Sequence, residues 1–426
     1  MTRSVIRAGA PRLLAINNYF YRRGGAEAVF FDHMALFAEI GWDVVPFAMK
    51  HERNEPSEWS DYFVSEIEYG NQHGVLTKAL DAAKVIYSFE AQRKLSQLIA
   101  AAPPTIAHAH NVYHHLSPAI FSTLKNAGIP VVMTAHDLKL ACPAYKMLRQ
   151  GMICEQCKGG RIYNVALNRC VKDSAAVSGV VFIETLVHRF LGLYRDKIDR
   201  IVVPSRFYRE KLIEWGWPGE KLVYIPNFVD VSQIKTGWTE RDYFVYAGRL
   251  APEKGIATLI RAAALAGQKL LIAGTGPEEK ALRDLALASG ADVTFAGYVS
   301  GEKLHRLIGE SKALVLPSEW YENAPISILE AYALGRPVIG SAIGGIPEMI
   351  REGETGRTAK AGSPEDLARA LTDLASLSTA ERAAMGMRGR DWISGEFSAE
   401  AYRQRTLDLY ATLVGSDFGA ARPYGT

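Results

Sequence analysis

Short apolar runs recur along the chain, each followed by a polar loop and then by a stretch whose apolar positions repeat at helical spacing. The first is Arg12-Leu13-Leu14-Ala15-Ile16. Asn17 to Gly25 is polar, Ala26 to Ile40 has the helical period, and Gly41 closes it. Strand-like Asp43-Val44-Val45-Pro46-Phe47 completes a βαβ unit. Thr105 to Ala109, Pro130 to Thr134 and Ile201 to Val203 predict further strands between helical segments, so a parallel sheet covered by helices is the economical reading. The alternation breaks at Ile225-Pro226-Asn227-Phe228-Val229-Asp230, which places a hinge there, and restarts at Tyr243-Phe244-Val245-Tyr246-Ala247. Strands expected at 269–273, 292–296, 313–317 and 337–341 complete a second α/β sheet. No unit repeats at a fixed short period, which excludes a solenoid.

Composition sets limits on this picture. The 426 residues, 48% hydrophobic and 22% charged, suffice for two packed cores. No apolar run approaches the length needed to span a bilayer, and residues 1 to 20 lack the apolar core of a signal peptide. A cytoplasmic protein, at most resting on the inner membrane face, is therefore expected. The net charge of +3 is spread along the chain without a basic run, which points away from nucleic acid as a partner.

Two open α/β sheets facing each other line one cleft with the loops at the carboxyl ends of their strands, so chemistry is expected in those loops. The strongest candidate is Ser318-Glu319-Trp320-Tyr321-Glu322-Asn323-Ala324-Pro325-Ile326-Ser327-Ile328-Leu329-Glu330-Ala331. Pro325 suits a first helical position and Gly335 a stop. With helical spacing throughout, the carboxylates of Glu322 and Glu330 stand roughly 12 Å apart along the axis. Between them the helix start offers free N–H groups to a diphosphate. Taken singly, each glutamate reads equally well as a loop or solvated-face residue. Gly248-Arg249-Leu250-Ala251-Pro252-Glu253-Lys254-Gly255 adds two cations after a strand, suited to phosphate oxygens. Gly274-Thr275-Gly276-Pro277-Glu278 again joins strand to helix but lacks the third glycine and the following acid of a dinucleotide fingerprint.

In this order, Gly-Arg-Leu with Glu-Lys-Gly, Ala-Gly-x-Gly-Pro-Glu, Glu322 to Glu330, Gly-Arg-Pro-Val-Ile and Gly344-Gly345-Ile346-Pro347-Glu348 resemble the retaining glycosyltransferases of family 4 over nearly the whole chain. The resemblance implies a GT-B fold: an acceptor-binding Rossmann-like domain over residues 1–230, a donor-binding one over 231–398, and a helix in 399–426 crossing back to the first. It implies transfer of a hexose from a nucleotide diphosphate sugar, a UDP- or GDP-sugar, to a saccharide or lipid-linked saccharide, in cell-surface polysaccharide or glycolipid assembly. Arg249 and Lys254 would bind the diphosphate and stabilise the departing nucleotide. Glu322 would contact the donor sugar and Glu330 the ribose, with Asn323 and Ala324 in the same donor segment. That segment departs from the family's glycine-rich form, and Pro325 has no N–H to offer a ligand.

Arg22-Arg23-Gly24-Gly25-Ala26-Glu27 opens the first helix, and by the resemblance Gly24 and Gly25 face the donor phosphates. His136, in Thr134-Ala135-His136-Asp137 at a strand end, matches a family histidine close to the transferred sugar. His108 and His110 read as strand-end residues satisfying local hydrogen bonds. Charge grows on the diphosphate in the transition state, so fixed cations carry most of the catalysis. No Asp-x-Asp stands at a strand end near the donor loops, so no catalytic metal or other cofactor is expected. A sugar-nucleotide epimerase and a non-catalytic binding module are the competing functions.

Two features lie outside this site. Cys142, Cys154, Cys157 and Cys170 fall in one Gly- and Lys-containing loop, where four thiolates could close a structural zinc site; buried reduced thiols and redox-active cysteines are the alternatives. Val180 to Ile201 has apolar groups at helical spacing with several cations. It reads as a core-facing helix, with a membrane-surface helix as the other reading.

Overall fold

A computed structural model describes residues 10–66 and 83–415. The first half builds a parallel sheet from β1 (Arg12–Ile16), β2 (Asp43–Phe47), β3 (Ile106–Ala109), β4 (Val131–Thr134), β7 (Arg200–Val203) and β8 (Leu222–Tyr224), in the order β2-β1-β3-β4-β7-β8. β5 (Leu148–Arg149) and β6 (Met152–Ile153) form a separate small hairpin. Pro46, which cannot donate to a ladder, sits in β2 at the sheet edge. The helix Gly25–Glu39 follows β1 and stops before Gly41, whose φ of 84° turns the chain into β2.

The second half repeats the design with β9 (Phe244–Ala247), β10 (Leu270–Ala273), β11 (Val293–Gly297), β12 (Leu314–Leu316), β13 (Val338–Ser341) and β14 (Gly356–Ala359), in the order β11-β10-β9-β12-β13-β14. All of these pairs are parallel, and the four inner strands β10, β9, β12 and β13 are buried almost throughout, because helices cover both faces. In each sheet the order reverses beside the first strand, between β1 and β3 and between β9 and β12. Loops leaving those strands diverge there and open a crevice.

Two adjacent stretches of chain join the halves. Val229 N–H donates to the Phe397 carbonyl at 3.0 Å, and Val229 bridges Ser398. The helix Ala399–Val414 then returns to the first sheet, where Tyr402, Leu409 and Tyr410 pack with Leu13, Phe30 and Phe37.

The helix Ala175–Phe190 corrects the core-facing reading of the 180–201 segment. Its inward face carries Ser178, Glu184 and His188 beside Val181, while Ile183, Leu186 and Phe190 are exposed. An ion pair decides the orientation: Glu184, with no exposed surface, binds buried Lys139 at 3.0 Å, which holds its carboxyl down at about 2 against the cost of burial. Among the described residues, no helix is long and apolar enough to cross a membrane.

Candidate active site

The candidate site loops of the second half gather at its switch point. β9 leads into Gly248 to Gly255 and β12 into Ser318 to Pro325. Gly255 has a φ of 66°, and a Cβ there would lie 2.0 Å from the Pro317 carbonyl oxygen, so the cation loop lies directly on the β12 loop. Behind it, a Cβ on Gly344 would meet the Glu322 carbonyl oxygen at 2.5 Å, and one on Gly345 the Asn323 carbonyl oxygen at 1.9 Å. Backbone thus packs on backbone, and Gly345 N–H donates to the Glu322 carbonyl at 2.8 Å. These contacts set the height of Glu322 and Asn323 in the cleft.

Glu322 is buried, and its Oε1 accepts from Lys254 Nζ at 2.7 Å and from Ser318 Oγ at 2.7 Å. Lys254 also lies over the Trp320 ring. Arg249 is exposed, and its guanidinium makes no hydrogen bond or ion pair among the described residues. One cation is therefore held ready by a carboxylate and the other is open.

The helix after this loop starts at Ile326 and runs to Ala333, with Pro325 outside it as N-cap, one residue later than the sequence suggests. Glu322 consequently lies in irregular backbone, and the 12 Å helical spacing to Glu330 does not apply. No side chain caps the helix, which leaves its first N–H groups to a ligand. Glu330 is partly buried. Burial, and then the Asp32 carboxylate of the helix Gly25–Glu39, push its carboxyl up to about 7.

The first half meets this segment closely. Gly25 stands over the helix start, where a Cβ would contact Ile326 Cδ1 at 3.5 Å. Asn323 clamps the halves together: its Nδ2 donates to the Ala135 carbonyl at 3.0 Å and to the His136 carbonyl at 3.4 Å, while its Oδ1 accepts from Ser205 Oγ at 2.9 Å. Ala324 contributes its carbonyl, which accepts from Asn227 Nδ2 at 2.7 Å. The Asn323 side chain and the Ala324 carbonyl therefore join the halves. His136 lies two residues beyond β4, beside the Ser318–Pro325 loop.

Several contributors escape a linear reading. The Glu348 carboxylate accepts from the Arg206 and Phe207 N–H groups at the start of the helix Arg206–Glu214, capping one half with the other. Tyr208 Oη donates to the Tyr321 carbonyl at 2.9 Å. His110 is more than a local strand-end residue, because its Nδ1 lies 2.8 Å from His136 Nε2. His108, in contrast, bonds only Tyr410 Oη at 2.5 Å and Thr134 Oγ1 at 2.7 Å. Burial keeps these imidazoles neutral, taking His136 down to about 4.

Among the described residues, one group of three His, Cys, Asp or Glu brings its ligand atoms within 4.8 Å: His33, His108 and His110. His33 and His108 use both ring nitrogens on hydroxyls of Tyr402, Tyr410 and Thr134, so the trio is a hydrogen-bonded core. The sulfurs of Cys142, Cys154, Cys157 and Cys170 are not drawn that close.

Comparison with known proteins follows the same lines. Residues 23–233 match the profile described as Glycosyltransferase Family 4, and residues 230–392 that described as Glycosyl transferases group 1. A GDP-mannose-dependent alpha-(1-6)-phosphatidylinositol monomannoside mannosyltransferase of Mycobacterium tuberculosis is 30% identical over 240 residues, which cover 50% of this chain and 62% of that one. The match thus spans less than two thirds of that relative. The lipopolysaccharide core biosynthesis glycosyltransferase LpsE of Rhizobium meliloti is 30% identical over 230 residues, 51% of this chain and 66% of its own. Sucrose-phosphate synthase from Thermosynechococcus elongatus superposes with a TM-score of 0.71 at 20% identity, over 95% of this chain and 99% of that one. HepE of Anabaena, solved with UDP-glucose, gives 0.66 at 16% identity over 94% and 99%. Two sheets with reversed order beside their first strands, a returning helix and profile matches running from residue 23 to 392 agree: the chain belongs to the glycosyltransferases of family 4 and has their GT-B fold.

Proposed function

We propose that the protein transfers a hexose from a nucleotide diphosphate sugar, a UDP- or GDP-sugar, to a saccharide or lipid-linked saccharide, with retention of configuration and without a catalytic metal. The observation that carries this reading is the meeting of the donor segment, with Lys254 and Glu322 paired at 2.7 Å, and the β4 end that bears His136. A bipolar ligand fits the charges along it. The diphosphate takes Lys254, Arg249 and the helix start under Gly24 and Gly25, which releases Glu322 to accept from sugar hydroxyls. Glu330 accepts from the ribose. As the sugar departs, charge grows on the phosphate between two cations and a helix dipole, which stabilises it without a protein nucleophile. In this reading the leaving phosphate oxygen takes the acceptor's proton on the same face.

A role in cell-surface glycolipid or polysaccharide assembly at the inner membrane face is supported by the names of the mycobacterial and rhizobial relatives. It is supported too by exposed Ile183, Leu186, Phe190 and Leu191 beside Arg189, an apolar strip able to rest on a lipid surface that presents the acceptor.

A thermal-shift screen with UDP-, GDP- and ADP-sugars tests the donor site, because a ligand of the folded state alone raises the melting temperature. One nucleotide class is expected to stabilise the protein and to lose its effect in Lys254→Ala; silence from all three classes would sink the reading. The Glu330 carboxyl supplies a second check. Its free-state value of about 7 lies above the usual carboxylate range, so the ionised form that accepts ribose hydroxyls is lost as pH falls through 7. Calorimetry with the intact nucleotide sugar, which does not titrate there, should give a Kd roughly 30-fold weaker at pH 5.5 than at pH 8. In Glu330→Gln the profile should be flat and the affinity low throughout; an unchanged slope would remove Glu330 from the site.

A further inference from the structure

We propose that Cys142, Cys154, Cys157 and Cys170 bind one zinc ion as a four-thiolate site, and that this site braces the donor loops across the cleft through Lys146 and Glu155.

The cysteines lie in an insertion between β4 and the helix Ala175–Phe190. Leu138, Leu140, Ala141 and Met147 root it in the main core. From residue 148 to 172, however, only Cys157, Ile162 and Val165 are buried. Ordering each residue costs about 1–2 kcal/mol of backbone entropy, and three buried side chains offset little of that. The insertion is also strained. Tyr145, Met147, Gln150, Arg169, Lys172 and Asp173 adopt positive φ between 47° and 55°, and the other described non-glycine residues to do so are His114 and Ser117. Such backbone persists where something overdetermines it.

The four thiols are gathered in this one insertion, more widely spaced than the ligands of a bound ion. Cys142 and Cys170 pack against the same small cluster of Ala144, Val165 and Val181. Cys154 N–H donates to the Met147 carbonyl at 2.8 Å, which seats the Cys154–Cys157 turn beside Cys142. That turn is tied in turn to the helix Asn164–Leu167, because Asn164 and Asn168 donate to the carbonyl and Oε1 of Gln156, both at 2.7 Å. All four cysteines are free thiols. A divalent ion replaces the thiol protons on binding. A tetrahedral site with Zn–S bonds of about 2.3 Å needs sulfurs about 3.8 Å apart, so binding draws the side chains inward from their present wider spacing.

The insertion reaches the proposed donor site at two points. Lys146 Nζ lies 3.1 Å from Glu253 Oε1, next to Lys254. Glu155, between two of the cysteines, accepts from Tyr321 Oη at 3.2 Å, next to Glu322, and from Lys211 Nζ at 2.8 Å. This second half of the proposal rests on the donor-site reading above; the metal half does not.

The full-length protein, purified under reducing conditions without added metal, should carry roughly one zinc per chain by plasma mass spectrometry. Mercurial titration should release it after about four thiols react, and cobalt substitution should give the intense visible bands of tetrahedral thiolate coordination. Cys154→Ser and Cys157→Ser should each lose the metal. Metal-free protein with four freely reactive thiols, or a peptide map with disulfides among these cysteines, overturns the site. Stripping zinc from the wild-type protein should weaken binding of free UDP or GDP, whichever the protein takes, several-fold, with recovery on adding zinc. An unchanged nucleotide affinity in stripped, folded protein overturns the bracing role and leaves the metal site standing.

Discussion

Replacing Lys254 by alanine is expected to lower kcat/KM for transfer by roughly 10³-fold, the scale seen when a preorganised group at a developing negative charge is removed. Part of that loss has another origin. Glu322 is buried and accepts from Lys254 at 2.7 Å, so Lys254→Ala leaves its Oε1 with only the Ser318 hydroxyl. An unpaired buried group costs about 1–3 kcal/mol, which a melting curve will register as a drop of several degrees. The double variant Lys254→Ala, Glu322→Gln separates the two effects, because a neutral amide restores stability without restoring the phosphate contact. Arg249→Ala is the companion measurement: its guanidinium has no partner among the described residues, so activity should fall with the melting temperature unchanged. If Lys254→Ala retained kcat/KM within about threefold, the leaving diphosphate would have to lie elsewhere.

Local signals in this chain are the ones the sequence carries well. Short apolar runs repeat before polar loops, and ten strands are placed from that pattern to within a residue or two. β8 and β14 escape it because they are edge strands of three and four residues, the latter Gly-Arg-Thr-Ala with little apolar content. The close packing of the candidate site loops was legible because glycine is demanded wherever backbone meets backbone, as at Gly255 and Gly345. What joins the halves was not. Asn323 finds Ser205 across 118 residues and Glu348 finds Arg206 across 142, and no spacing rule connects them. The helix Ala175–Phe190 fails for a related reason: its apolar period suggests an inward stripe, but Lys139, far away in sequence, pairs with Glu184 and turns the polar face in. Periodicity reports which face differs, and partners decide which face is buried.

The histidine pair offers the sharpest case of a distant partner setting chemistry. His110 Nδ1 and His136 Nε2 are 2.8 Å apart, so one donates and the other accepts. His110 Nε2 is buried without a hydrogen-bond partner. Were it protonated, a buried N–H would be orphaned; left as a bare lone pair, it costs less, since unpaired acceptors are tolerated better than unpaired donors. His110 therefore donates from Nδ1, and His136, accepting at Nε2, carries its proton on Nδ1 and presents a hydrogen-bond donor. His136→Ala is expected to lower kcat by on the order of 100-fold while donor Kd stays within about threefold. His110→Phe keeps a ring in the core but removes the donor that fixes the tautomer, and should cost about tenfold in kcat with the same unchanged Kd. The pH dependence follows from burial. His136 is held down to about 4, below the ordinary histidine value, so its neutral form persists above that value and is lost only as pH falls through it. Between pH 5.5 and 8, kcat should show no inflection from His136. A step near 6.5 that disappears in His136→Ala would mean that His136 titrates as a solvated imidazole during turnover, and the donor role derived from His110 would fall with it.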